Sequence, residues 1–135
     1  MSTHHLRLLG ERLAICRLPA GAPVPLAAGS TSIAGVLRTP AETSVVCPER
    51  EAPTGARVSP GWCALEVAGP FELTGAPGVL ASLAQPLAEA GVSLFALSTF
   101  DTDYLLVPWA ELTAARTALE AAGHEFLDDA AGARR

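Results

Sequence analysis

The chain has 135 residues, half of them hydrophobic and 17% charged, so it can bury a real core and is not a disordered segment. Nine Lys and Arg against fourteen Asp and Glu give a formal net charge of −5, the wrong sign for a nucleic-acid-binding face. Aromatic residues, at 5%, leave little for base stacking.

Taken in order, the N-terminus has Glu11 and Arg12 where a signal peptide needs an apolar run. No stretch of ~18 uninterrupted apolar residues is present, so no membrane span is expected and the cytoplasm is the default location. Residues 6–9 and 12–18 read as two short strands. The prolines at 19, 23 and 25 end the second in a loop, because proline fixes φ and biases its predecessor away from helix. Residues 33–37 and 43–47 are two further strands around Pro40, and 48–53 is a connector. Cys16, Cys47 and Cys63 lie far apart in apolar runs. Their odd number and wide spacing support neither a disulfide framework nor a metal knuckle, so buried thiols are expected.

The second half is more regular. Residues 62–67 alternate as a half-buried strand. Val79, Leu80, Leu83, Leu87 and Ala90 recur at three- and four-residue steps, which is one face of a helix; Pro86 within it must kink it or remove one backbone bond. Gly91 closes that helix. Residues 92–97 and 104–107 are strands flanking the polar stretch 98–103. A second amphipathic helix runs over 109–122 and a last strand over 124–127. The order β-α-β-β-α-β over 62–127 predicts a ferredoxin-like α+β sheet with both helices on one face and strand order 4-1-3-2.

An internal echo extends this to the first half. Residues 32–48 lie against 92–108 without a gap, matching Leu37 with Leu97, Thr39 with Thr99 and Pro48 with Pro108, while Arg38 meets Ser98. The expectation is two tandem units: a degenerate one at 1–58, its first helix eroded to the loop around residues 23–30, a complete one at 59–128, and a flexible tail at 129–135.

No nucleophile motif, zinc-binding HExxH, phosphate loop or dinucleotide fingerprint occurs, so catalysis, a metal and a cofactor are not expected. Two loops at one end of the second unit carry the candidate site. One holds Thr74, Ala76 and Gly78 and enters the first helix at Val79; the other holds Ser98, Thr99, Phe100, Asp101 and Asp103. A helix start presents unpaired N–H groups that suit a carboxylate, and Gly78 allows close approach. Asp101 and Asp103 supply negative charge for an ammonium or guanidinium group. The alternative is that these residues only shape a hairpin and cap a helix.

The segments Gly61-Trp62, Val67-Ala68-Gly69-Pro70, Leu73-Thr74-Gly75, 78–81, 86–91 and 98–104 (STFDTDY) resemble the ACT domain family. The likeness is nearest to a tandem subgroup that includes bacterial ACT-domain proteins and the CASTOR arginine sensors. The resemblance implies a tandem ACT pair that senses a free amino acid, such as Arg, Lys or another metabolic end product, held between units. It implies backbone groups from Gly78 and Val79, a pocket lined by Thr99 and Phe100, and Asp103 facing a cation. A homodimer would restore the four units of the sensors. Other readings are a ligand-free interaction or regulatory subunit with a vestigial site, an acylphosphatase-like hydrolase, and a ferredoxin-like RNA binder. The hydrolase needs an arginine-bearing phosphate loop, and no Arg lies between Arg57 and Arg116. The RNA binder conflicts with the acidic, aromatic-poor composition.

Overall fold

A computed structural model describes residues 3–24, 33–71, 75 and 77–127. Contacts divide the chain into two compact units. Unit 1 comprises Met1–Gly10 and Cys63–Arg135, and unit 2 comprises Glu11–Trp62. Both divisions fall inside strands, β1 (His5–Leu18) and β4 (Arg57–Val67). Among the described residues no helix is long and apolar enough to cross a membrane.

Unit 1 contains residues 5–10 of β1, residues 63–67 of β4, helix α1 (Val79–Glu89), β5 (Phe95–Ser98), β6 (Asp103–Pro108), helix α2 (Leu112–Ala121) and β7 (Glu125–Phe126). Its strands run in the order β7-β1-β4-β6-β5. The expected order 4-1-3-2 is corrected at one place: β1 lies between β4 and β7, and β7 pairs parallel with it through His5↔Glu125 and Leu6↔Phe126. Burial accounts for the insertion. Leu6 is fully buried and Leu8 packs on the same cluster, so this short run supplies apolar surface under the helices that the two-residue β7 lacks.

The period-two positions Cys63, Leu65 and Val67 of β4 and Leu105 and Val107 of β6 meet Leu83 and Leu87 of α1 and Ala115 and Leu119 of α2 in one buried cluster. Each large side chain so buried contributes roughly 1.5–3 kcal/mol before entropy. The ACT-like ferredoxin arrangement of a sheet with two helices is therefore present. The second helix starts later than its pattern predicts, because Trp109–Glu111 form a 3-10 turn first.

Pro86 stands inside α1 and has no N–H to give the Ser82 carbonyl one turn earlier. That carbonyl is met by His124 Nε2 at 3.2 Å, while His124 Nδ1 accepts the His4 backbone N–H at 3.1 Å. Accepting on Nδ1 puts the ring proton of neutral His124 on Nε2, aimed at Ser82. The ring is buried and stacks on His4, at 5.5 Å between centroids. Burial, with His124 and His5 nearby, holds the His4 pKa below its ordinary value.

Unit 2 contains residues 11–18 of β1, β2 (Gly35–Arg38), β3 (Thr43–Pro48), a 3-10 turn at Glu49–Glu51 and residues 57–62 of β4, in the order β2-β3-β1-β4. β4 starts earlier than its pattern predicts. Within it Gly61 takes φ +79° and its N–H donates to Glu49 Oε2 at 2.6 Å. No α-helix occurs among the described residues of this unit. Residues 25–32, most of the loop expected to replace the first helix, lie outside the description. Between the 3-10 turn and β4 only residues 52–56 intervene, so nothing matches α2 either. Small side chains do the covering: Ala22, Val24, Ala52 and Ala56 pack on Ala14, Cys16, Leu18, Val45 and Cys47. Burial raises the Cys16 thiol pKa and pushes that of Cys47 up to about 11, so both stay protonated.

The internal echo has a geometric counterpart. β2 pairs with β3 as Gly35↔Val46 through Arg38↔Thr43, and β5 pairs with β6 as Phe95↔Leu106 through Ser98↔Asp103, the same register sixty positions on. Each hairpin closes on a threonine turn and each second strand runs through a proline into a 3-10 turn.

His124→Ala should destabilise the protein by about 2–4 kcal/mol, because it strands a part-buried N–H and a helix carbonyl as well as leaving a cavity. In a Pro86→Ala background residue 86 regains an N–H for Ser82, so the same change should cost at least ~1 kcal/mol less. Urea unfolding of the four proteins measures this; equal costs in both backgrounds would refute the role given to Ser82.

Candidate functional site

Two backbone-directed bonds place the chain after β4 against the turn between β5 and β6. Thr102 Oγ1 donates to the Val67 carbonyl at 2.5 Å, and the Phe71 N–H donates to the Asp101 carbonyl at 2.7 Å. Gly69 permits the approach: a Cβ there would lie 3.2 Å from the Asp101 oxygen and from the Phe71 nitrogen. The turn is self-supporting, with Thr99 N–H donating to the Thr102 carbonyl at 2.8 Å and Thr102 N–H to Thr99 Oγ1 at 3.3 Å.

A cavity of ≈ 530 Å³ opens beside this strap. It is lined by residues 67–70, by Thr99, Asp101 and Thr102 of the turn, and by Arg7, Glu66 and Tyr104. Glu66 and Tyr104 alternate with buried residues of β4 and β6, so period two turns them away from the helix-packed core. Arg7 alternates in the same way with Leu6 and arrives on β1. Glu66 accepts from the Tyr104 hydroxyl at 2.9 Å and lies 3.4 Å from Arg7 Nη1. Burial raises the Tyr104 pKa, as do the hydrogen bond to Glu66 and the charges of Glu66 and Asp101. The residues that line it thus carry a guanidinium, two carboxylates, a phenol and two threonine hydroxyls within one unit.

The residues expected from the sequence are distributed unevenly around this cavity. Thr99 and Asp101 line it. Ser98 and Asp103, register partners at the strand ends, are bonded to each other at 2.6 Å and are not part of its wall. Phe100 is 78% exposed at the tip of the turn. Gly78 holds φ +86° at the start of α1, and Val79 packs on the unit 1 core rather than on the cavity. Thr74 and Ala76 lie outside the described residues. Sequence reasoning missed Arg7, Glu66 and Tyr104. The signal for the latter two was a polar side chain inside an otherwise apolar strand; Arg7 is 59 positions from Glu66 and gave none. Among the described residues no three His, Cys, Asp or Glu side chains converge to hold a metal ion.

Tyr104 is the single tyrosine of the chain, so an absorbance titration near 295 nm reads it alone. Its midpoint should lie above the ordinary value of 10. Glu66→Gln should bring the midpoint back toward that value but not fully, because burial remains; an unchanged midpoint would refute the bond to Glu66.

Comparisons with known proteins agree with this fold. Residues 57–121 match the profile of the ACT domain. The crystal structure of the Agobacterium tumefaciens protein Atu0741 is 34% identical, with 94% of each chain covered and a TM-score of 0.85. The ligand-free regulatory subunit of aspartate kinase from Thermus thermophilus is 14% identical, covering 90% of this chain and 99% of that one, with a TM-score of 0.62. The allosteric aspartate kinase of Clostridium acetobutylicum is 10% identical and covers 90% of this chain but 35% of its own, with a TM-score of 0.63. The two kinase likenesses are likenesses of fold. Among curated proteins none matches the sequence.

Proposed function

The chain carries an ACT domain at residues 57–121 and belongs to one family with the Agobacterium protein, and from that premise we propose that it is a regulatory module that binds a free amino acid without transforming it. One observation carries the reading: Arg7, beside Glu66, and Asp101 line the same unit 1 cavity. A zwitterion leaves water only where both of its charges are met. Arg7 suits the α-carboxylate in a bidentate contact, and Asp101 suits the ammonium. Thr99, Thr102 and Tyr104 add hydroxyls that fix orientation, and the cavity volume falls within the range of small-ligand sites. The regulatory and allosteric proteins that share the fold support the role. Binding acts by population shift, favouring whichever conformation grips the ligand. Homodimer assembly and a cytoplasmic location belong to the same reading.

A second reading, a ligand-free interaction module, is favoured by β2. It is an edge strand of unit 2, with Val36 37% and Leu37 69% exposed. An edge with apolar side chains is a template for strand pairing.

A thermal-shift screen of the twenty amino acids separates the two. On the first reading at least one raises the melting temperature, by about 2.7 kcal/mol of stability at a hundredfold excess over Kd. Asp101→Ala should weaken that binding at least tenfold, about 1.4 kcal/mol. A screen silent for all twenty overturns this reading. A dimer that persists in that case and is split by Leu37→Lys selects the interaction module.

A further inference from the structure

We infer that, of the two repeated hairpin frames, only that of unit 1 carries the ligand site and that in unit 2 the corresponding place is occupied by the chain's own side chains; this rests on the amino-acid-binding reading above. The two hairpins coincide in register and turn. The register of β2 with β3 reproduces that of β5 with β6 sixty positions on. Thr39 closes its turn as Thr99 does: its N–H donates to the Glu42 carbonyl at 3.0 Å, and Glu42 N–H donates to Thr39 Oγ1 at 3.1 Å. β1 beside β3 in unit 2 stands where β4 stands beside β6 in unit 1.

The side chains on this shared frame differ at the positions the cavity uses. Ala41 stands for Asp101, so the turn offers no carboxylate there, and Ser44 stands for Tyr104. Glu42 stands for Thr102. Its carboxylate accepts from Ser44 Oγ at 3.0 Å and lies 3.9 Å from Arg17 Nε, so the one acid of this turn is engaged within the unit. Arg38 stands for Ser98. Its Nη1 donates to the Ala22 carbonyl at 2.7 Å and to Thr43 Oγ1 at 3.3 Å, which ties the chain after β1 to the hairpin. In unit 1 the equivalent tie uses the Thr102 hydroxyl and a backbone N–H and no charged side chain, while Arg7 there is paired with Glu66. Unit 2 makes its tie with the charged side chain itself. A ligand at unit 2 would have to displace internal bonds to Arg38 and Glu42 and would still find no acid at position 41.

The test is calorimetric titration with whichever of the twenty amino acids raises the melting temperature most. At most one molecule should bind per chain, Asp101→Ala should weaken all of the binding at least tenfold, and Arg38→Ser should leave the affinity within about threefold. More than one molecule per chain, or a full-affinity site surviving in Asp101→Ala, overturns the inference and leaves the amino-acid-binding reading standing. Failure of all twenty to bind overturns both. Should Asp101→Ala not fold by circular dichroism, Tyr104→Phe replaces it, with at least a threefold loss affecting all of the binding as the expected result and any site of unchanged affinity as the refuting one.

Discussion

Everything in unit 1 depends on where residues 5–10 of β1 are held. They lie between β4 and β7 because Leu6 is buried under both helices and because the neighbouring His4 N–H is taken by His124. The same strand then carries Arg7 on its other face, into the wall of the cavity. A packing requirement on one side of a strand thus sets an electrostatic feature on the other. Period two makes that link unavoidable: a side chain cannot be buried at position 6 without turning position 7 to the opposite face.

His124 shows how one polar side chain can resolve several backbone conflicts. Pro86 leaves a carbonyl of α1 without its helical partner, and the start of β1 has an N–H that needs an acceptor. One neutral imidazole meets both. The proline is then tolerable in the middle of a helix whose other face, through Leu83 and Leu87, is wholly buried.

The two hairpins show how far backbone and chemistry can separate. Registers, threonine turns and terminal prolines coincide at a constant interval, while the charges set on them do opposite work. Unit 2 lacks helices among its described residues, and its apolar face is covered by alanines and a valine. It also carries internal ionic and polar ties such as Arg38 to Ala22 and Arg12 to Glu49.

The sequence by itself located most of the elements and pointed to the family. Periodicity located both helices and the paired strands; Gly and Pro marked their ends; and the gapless echo of 32–48 with 92–108 pointed to the repeated hairpin. It also put Thr99 and Asp101 among the candidates, because an acidic turn between two strands is local information. Only the tertiary structure decided that β1 enters between β4 and β7, that Pro60-Gly61 lies within a strand, and that Glu66, Tyr104 and Arg7 join Asp101. The physical reason is range. Helical and strand periods are properties of neighbouring residues, whereas a sheet's order is settled by which distant strand buries the most apolar surface. A charged wall assembled from positions 7, 66 and 101 exists only after that choice has been made.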